Sequence, residues 1–427
     1  MCSPATVMRW TIEGPDTIVK GMVKDRYDVC VLGGGLVGGT MALALAQHGF
    51  RVALIDPVGG KVHRDPNFDG RAYAVSAGSA NLLRAVSLWN ALAQHAQPVA
   101  KITVGDACPG PMAPAMLHFD PAESTGDALG HIIEDRHLRV ALQDGLDSSA
   151  VDRYEGVLCD SVERTGTVAE LKLGANTLHA SLVVACDGRN SMTAKAAGIR
   201  YLAWGYGQTG LVSAIEHELP HGGIARQAFF PGGPFAVLPL PGNRSSLVWS
   251  ERDVEAARIK ALDDDAYMAE IAARIGGRLG ETRIAGRRWA YPLGLSLATS
   301  YARPRLVVAG DAAHGVHPIA GQGMNMALRD VAALVEVLIE AARRGEDIGT
   351  ETVLHRYEQW RRFDATVLAL GMDTLNRLFS NDIAPVQAVR NLGLKTVSRL
   401  GSARRTFMAE ASGRAGDVPR LLAGQPV

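Results

Sequence analysis

Several things this chain lacks narrow its function before any motif is read. It has no excess of charge: lysine plus arginine and aspartate plus glutamate each number 44. Nucleic acid is therefore not expected as the main partner, since a phosphate backbone calls for a basic surplus or stripe. No CxxC pair occurs among the five cysteines, Cys2, Cys30, Cys108, Cys159 and Cys186. Cys30 and Cys186 sit in apolar, strand-like runs and read as buried thiols of a reducing compartment. The first 26 residues hold Glu13, Asp16 and Asp25 and no apolar signal region, so a cytoplasmic protein is expected. The uncharged stretch from Val31 to Ala46 is shorter than the roughly 20 residues of a membrane-spanning helix. No GxSxG elbow, P-loop or internal repeat is present, and no zinc-binding helix is expected.

What the chain has is glycine, 47 residues of it, gathered where apolar runs end. Tyr27 to Gly35 is a short β-branched strand closing in glycines, Leu36 to Gly49 reads as a helix, and Phe50 to Asp56 is a second buried strand. The loop Gly33-Gly34-Gly35-Leu36-Val37-Gly38 is thus a GxGxxG inside a β-α-β unit. Gly33 permits the tight turn, Gly35 lets backbone approach a pyrophosphate, and Gly38 lets helix and strand pack closely. The helix start offers free N–H groups and a positive dipole end to the phosphates. Asp56 ends the second strand, where a carboxylate can accept hydrogen bonds from ribose hydroxyls.

Two later stretches repeat an apolar strand that ends in aspartate beside glycine. They are SLVVACDG, with Asp187, and RPRLVVAGDAAH, with Gly310 and Asp311. Each alone is an ordinary turn. In a doubly wound sheet, however, the carboxyl ends of the strands gather at one edge. Three such ends meeting on one ligand imply a long one, FAD rather than NAD. Between about 201 and 290 the alternating runs RQAFFPGGPFAVLPLP and SSLVWSE predict a mostly antiparallel sheet. QGMNMALRDVAALVEVLIEAARRG predicts a long helix with Met324, Leu328, Val331, Leu334 and Leu338 on one face, and from Glu351 the chain reads as helical to its end.

The expected fold is α/β: a Rossmann-type FAD-binding domain with an interleaved β-sheet substrate domain and a helical C-terminus. A tail covers 1–26. The FAD-binding parts are 27–100, 134–200 and 291–345, a substrate-side insertion covers 101–133, the substrate sheet 201–290, and the helical region 346–427.

The segment GDAAHGVHPIAGQGMNMALRD, together with DGRAYAVSAGSANLL, GPFAVLPLPGNRSSLVW and RNLGLKTVSRLGSARRTFMAEASG, resembles the FAD-dependent aromatic hydroxylases. These are typified by p-hydroxybenzoate hydroxylase, and the likeness is to their ubiquinone-biosynthesis branch. It runs from about Tyr27 to Gly413. It implies an FAD monooxygenase that hydroxylates the ring of a polyprenylated phenol with O2, through a flavin hydroperoxide. NAD(P)H or another reductant would be a transient electron donor, because only one dinucleotide fingerprint is present. By position, Asp311 would bond the ribityl or pyrophosphate part of FAD and Asp187 would lie over the pyrophosphate. Arg71 and Arg136 would contact the phosphate and ribityl regions, with surface ion pairs as the plainer reading. Gly321, Gln322 and Gly323 would turn N–H groups toward the flavin pyrimidine edge. Pro318 would line the space between flavin and substrate, and His317 would pack near the ring or take part in proton transfer. His314 and His317 have metal-ligand spacing, without further ligands to support a metal.

Alternatives remain: a hydroxylase of another small phenol, or a non-catalytic FAD accessory protein of a biosynthetic complex. Between Ile383 and Ala409 the chain carries Arg390, Lys395, Arg399, Arg404 and Arg405, interleaved with apolar residues and with no acid. That stretch is expected either to dock peripherally on a membrane surface or enzyme assembly, or simply to cap the flavin domain.

Overall fold

The computed structural model describes residues 18–20, 26–106, 117–120, 128–380 and 408–427. Arg26–Leu32, the helix Leu36–Gln47 and Val52–Asp56 form the β-α-β unit. The two strands pair in parallel, Val29 opposite Val52 through Leu32 opposite Ile55. Asp152–Glu155 adds in parallel beyond Val52–Asp56, and Asn176–Ala185 followed by Leu306–Val308 adds on the other side. The runs VCVL, VALI and LVVA are apolar throughout because a parallel sheet is covered on both faces. The strand ends at Leu32, Asp56, Ala185 and Val308 bring the glycine loop, Asp56, Asp187 and Gly310 to one edge of this sheet. That is the edge at which this topology binds ligands. Ile18–Lys20, inside the expected tail, instead adds an antiparallel outer strand against Asp152–Glu155.

A second layer is an eight-stranded sheet. Its long strands are Tyr201–His217, Arg244–Arg252, Gly233–Leu240 and Ile224–Phe230, flanked by Thr282–Ala298 on one side and Lys101–Asp106 on the other. Its pairings are antiparallel except where Lys101–Asp106 runs parallel to Ile224–Phe230. The alternation read between 201 and 290 has a physical basis here, since successive residues face opposite layers. Leu211, Phe235, Val237, Leu247 and Trp249 face the helices Asp253–Lys260 and Asp264–Ile275. Trp249 is 1% exposed, with the Arg274 guanidinium 3.9 Å from its ring centre. Burying each such apolar side chain contributes about 1.5–3 kcal/mol. The opposite face of the sheet turns toward the first layer. A small sheet of Ala72–Ser76, Gly130–Glu134 and Gln97–Pro98 joins the two layers.

The helix Gln322–Arg343 was expected to bury one face and is buried almost all round. Leu328, Val331, Leu334 and Leu338 are in the core, Met324 is only partly buried, and Arg329, Asp330 and Glu336 are buried as well. The helix lies between Leu36–Gln47 on one side and Glu351–Phe379 on the other, so its polar residues must find partners inside the protein. The expectation of helix to the chain end does not hold. After Glu351–Phe379 and a single turn from Met408, the chain runs in turns, with Gly413, Gly416 and Gly424 at positive φ. The basic stretch 383–409 lies outside the described residues apart from Met408 and Ala409.

Candidate active site

The glycine loop shows a separate steric reason at each position. Gly33 has φ +101°, and a Cβ there would strike the Cys186 carbonyl. A Cβ at Gly38 would collide with the Gly33 carbonyl, so the helix start settles on the strand end. Gly35 has φ −66° and ψ −174°, open to any residue, and no atom lies within 4 Å of where its Cβ would stand. Its bareness meets no demand of the protein itself and leaves the mouth of the helix open. That helix has no side-chain cap and no acid in its first turn, so its leading N–H groups face the cleft.

Asp56 is engaged within the glycine loop itself. Its carboxylate accepts the Gly34 N–H and, at 2.6 Å, the Val58 N–H, and His63 Nε2 lies 3.7 Å away. It fastens the loop rather than standing free in the cleft, and Gly34 is itself glycine because a Cβ would sit 2.9 Å from the Asp56 carboxylate.

Between the two layers lies a cavity of about 1200 Å³. Its dinucleotide half is lined by Gly34 to Val37, His63, Arg71, Arg139, Gln143, Arg189, Asp311 and Gly321 to Asn325. Arg71 reaches Asp69 at 2.6 Å and Asp135 at 2.9 Å, with its guanidinium 4.8 Å from the Trp289 ring centre. Burial pulls the Arg71 pKa down, but the two carboxylates outweigh it and hold the cation firmly charged. Asp311 is exposed to the cleft, and among the described residues none forms a hydrogen bond or ion pair with it. Gly310 is structural: at φ +63° it donates its N–H to Asp330 at 2.9 Å, and a Cβ would press on Val37 and Ala327. Gly321, at φ +63°, begins the long helix against Ala74, and Gln322 and Gly323 line the cleft behind it. Asn325 locks that start by accepting the Ser76 N–H at 2.9 Å and donating to the Ala74 carbonyl at 2.9 Å.

Two expected contacts fall outside the cleft lining. Arg136 turns to Glu134 at 2.7 Å and to the Pro66 carbonyl at 2.9 Å. Arg139, one helical turn on, faces the cavity instead, held by Asp135 at 2.7 Å. Asp187 is exposed and accepts the Thr193 N–H at 3.2 Å, while Arg189, two residues on, lines the cavity. The sequence reading missed Arg139, Gln143 and Arg189 because only helix and loop phase separate them from their neighbours.

The two histidines do not act together. His314 Nε2 is 2.6 Å from Asp330, whose other oxygen takes the Arg361 Nε at 2.8 Å, all three being buried. Burial would raise the Asp330 pKa, but His314 and Arg361 outweigh it and hold the carboxylate below its usual range. His317 is fully buried with neither ring nitrogen hydrogen-bonded, edge-on to Tyr206 at 5.4 Å. Burial lowers its pKa to about 4, against a small opposing pull from Asp373, so the ring is neutral at physiological pH. Pro318 beside it lines the cavity. His217-Glu218-Leu219-Pro220-His221 does spell HExxH, but it lies at a strand end and a turn, not on a helix. Its rings bond Ser245 at 3.0 Å and the Leu240 carbonyl at 2.8 Å. Among the described residues no group of three or more His, Cys, Asp or Glu is placed to hold a metal.

The other half of the cavity is mostly hydrocarbon. Val99, Ile102, Val104, Leu117, Phe119, Val212, Phe229, Leu238 and Val248 line it, and Leu375, Leu378, Phe379 and Met408 close the far wall.

The FAD binding domain family model matches residues 26–368. The chain belongs to this family. The bare Gly35, two uncapped helix starts and cavity-facing Arg71, Arg139 and Arg189 fit a dinucleotide carrying two phosphates, and the cofactor is FAD. Within the family, the chain is 42% identical over 415 residues to the ubiquinone hydroxylase UbiL of Rhodospirillum rubrum, covering 96% of this chain and 95% of that one. It is 35% identical to the 3-demethoxyubiquinol 3-hydroxylase of Escherichia coli, covering 92% and 100%. The human mitochondrial ubiquinone biosynthesis monooxygenase COQ6 is 30% identical, covering 95% and 94%. Among solved structures, the p-nitrophenol 4-monooxygenase of Pseudomonas putida shares the fold, with a TM-score of 0.76 at 18% identity, covering 92% of this chain and 100% of that one. The mixed α/β fold and the resemblance to FAD-dependent aromatic hydroxylases both hold.

Proposed function

We propose that this chain is an FAD-dependent monooxygenase that hydroxylates the ring of a polyprenylated phenol in ubiquinone biosynthesis. The observation that carries the reading is one cavity with arginines and open helix starts in one part and mostly hydrocarbon in the other, with Val316, Pro318 and Ile319 also in its lining. The named activities of the three relatives support it. When bound, the flavin supplies the activation of O2 and delivery of one oxygen atom to the ring. The chain's own residues do the rest. Arg71, Arg139, Arg189 and the N–H groups after Gly35 and Gly321 hold the phosphates and the pyrimidine edge. Asp311, exposed to the cleft, accepts from the ribityl hydroxyls. Pro318 and its neighbours set the gap between flavin and ring, and the apolar walls exclude water. His317, neutral and turned to Tyr206, packs. The fingerprint serves FAD, so NAD(P)H or another reductant docks transiently.

An apolar chamber favours a phenol with a hydrocarbon tail over a small carboxylated one, which would ask for a cation. Such a tail is met at a bilayer or on a carrier. The helix Glu351–Phe379 exposes Phe363, Val367 and Leu370 along one stripe, beside Arg362 and Arg377, and the stretch 383–409 is basic. Both support peripheral contact with an anionic membrane face. Among the described residues no helix is long and apolar enough to cross a membrane. The test is turnover of the FAD-loaded protein with a short-chain prenylated phenol and a chemical reductant. A product heavier by one oxygen is expected, and O2 uptake that the phenol does not stimulate would argue for an accessory role.

A further inference from the structure

The cavity-facing side of the substrate sheet has one polar side chain in an otherwise hydrocarbon row. Backbone pairing sets Val104 opposite Gln227, Gln227 opposite Ala236, Ala236 opposite Val248 and Val248 opposite Val212. All five line the cavity. Along its own strand Gln227 stands between Ala225 and Phe229, which line the cavity too, and Phe229 packs on Phe379 with ring centres 4.2 Å apart. Arg226, the preceding residue, also borders the cavity. Strand alternation turns its side chain to the other face, where it bonds the His221 and Ile224 carbonyls.

Among the described residues, none is hydrogen-bonded to the Gln227 side-chain amide. Other amides near the cleft are committed: Asn325 to Ser76 and Ala74, and Gln208 to Gly232 and Asn376. Gln227 is half-buried, and setting its amide among hydrocarbon without a protein partner is unfavourable, so leucine would suit the place better. An amide offers a carbonyl acceptor and two N–H donors on one planar group. It suits a ring carrying a hydroxyl beside a second oxygen, and being neutral it does not call for a charged ligand.

We propose that Gln227 is the polar anchor of the substrate ring: its carbonyl oxygen accepts the phenolic O–H and its NH2 donates to a neighbouring ring oxygen. The apolar row around it holds the rest of the ring and the start of the tail without fixing rotation. Gln227 therefore decides which ring carbon is turned toward Pro318 and the flavin. This assignment deepens the hydroxylase reading and rests on it for the identity of the ring.

The experiment compares a short-chain prenylated phenol with its O-methyl ether, which lacks the donor proton. Binding to the FAD-loaded protein is followed by intrinsic fluorescence, and turnover is followed separately by product mass. Wild type should bind the phenol about tenfold more tightly than the ether. Gln227→Met, close in volume, should lose that preference while keeping full FAD content and an unchanged flavin spectrum. Gln227→Asn, with the same amide on a shorter stem, should regain part of it. In turnover, Gln227→Met should make less hydroxylated product per O2 consumed, by about tenfold, and spread it over more than one ring position. Equal affinity of wild type for phenol and ether, or a preference and regiochemistry unchanged in both variants, would overturn the assignment. If wild type shows the preference and Gln227→Met abolishes it, but no hydroxylated product forms, Gln227 stands as a phenol anchor and the hydroxylase reading fails alone.

Discussion

The two halves of the cavity are built on opposite rules. In the dinucleotide half, backbone N–H groups open onto the cleft beside arginine side chains, and other side chains hold that backbone in place: Asp56 fastens the glycine loop, Asn325 the start of the long helix, and Asp330 the Gly310 turn. In the substrate half the backbone is spent on sheet pairing and side chains shape the space, nearly all of them hydrocarbon. The first half is therefore specific, and a single Cβ closes it. The second is permissive, and single apolar changes reshape it without closing it.

The change that breaks that contrast most directly is at Gly35, where cofactor binding itself is lost. Because Gly35 has an ordinary extended backbone and empty space at its Cβ, Gly35→Val should fold yet fill the phosphate approach. We expect colourless protein with FAD affinity down by at least about a hundredfold, roughly 3 kcal/mol, read by absorbance and calorimetry. Gly33→Val, at φ +101° against Cys186, should instead fail to accumulate as folded protein.

Next is the buried triad behind the cofactor edge. Asp330→Ala removes the partner of His314, Arg361 and the Gly310 N–H together. Leaving a buried guanidinium without its carboxylate should cost about 3–5 kcal/mol in denaturant unfolding. A loss under about 1 kcal/mol would show that the triad does not secure the edge.

A smaller effect appears with pH. His317 titrates near 4 when folded and near its ordinary 6.5 when unfolded. Between those values the unfolded chain binds the extra proton, so stability falls as pH drops from about 6.5 to about 4. His137, lowered to about 4 chiefly by burial, adds to the same slope. His317→Leu should flatten part of it, by up to about 3 kcal/mol over the window. An unchanged slope would place the His317 ring in contact with water.

The smallest separates two neighbouring arginines. Arg139→Ala should weaken FAD binding by roughly three- to tenfold, as the loss of one phosphate contact does, while Arg136→Ala should leave it unchanged. The reverse order in a calorimetric titration would restore Arg136 to the cleft.

The glycine loop and the strand-end aspartates were legible in the sequence because their demands are local: a turn at Gly33, a close approach at Gly38, apolar strands before each. The parallel core and the alternating substrate sheet were legible from their two periodicities. What was not legible depends on phase. Arg136 and Arg139 look alike in the sequence until the helix turns one of them inward, and Asp187 and Arg189 differ by two residues of loop. Gln227 reads as one more polar residue in RQAFF until pairing with Val104 and Ala236 puts it in a hydrocarbon row. His314 was visible, but its partner Asp330 lies a full turn-and-helix away and is joined only by packing.

The most direct test of a flavin half delivering oxygen to a ring in the hydrocarbon half is isotopic. FAD-loaded protein is turned over with a short-chain prenylated phenol under ¹⁸O2 in ordinary water, and in parallel under ordinary O2 in H2¹⁸O. The account predicts one labelled oxygen on the ring of the product from ¹⁸O2 and none from labelled water. Label arriving from water would contradict it.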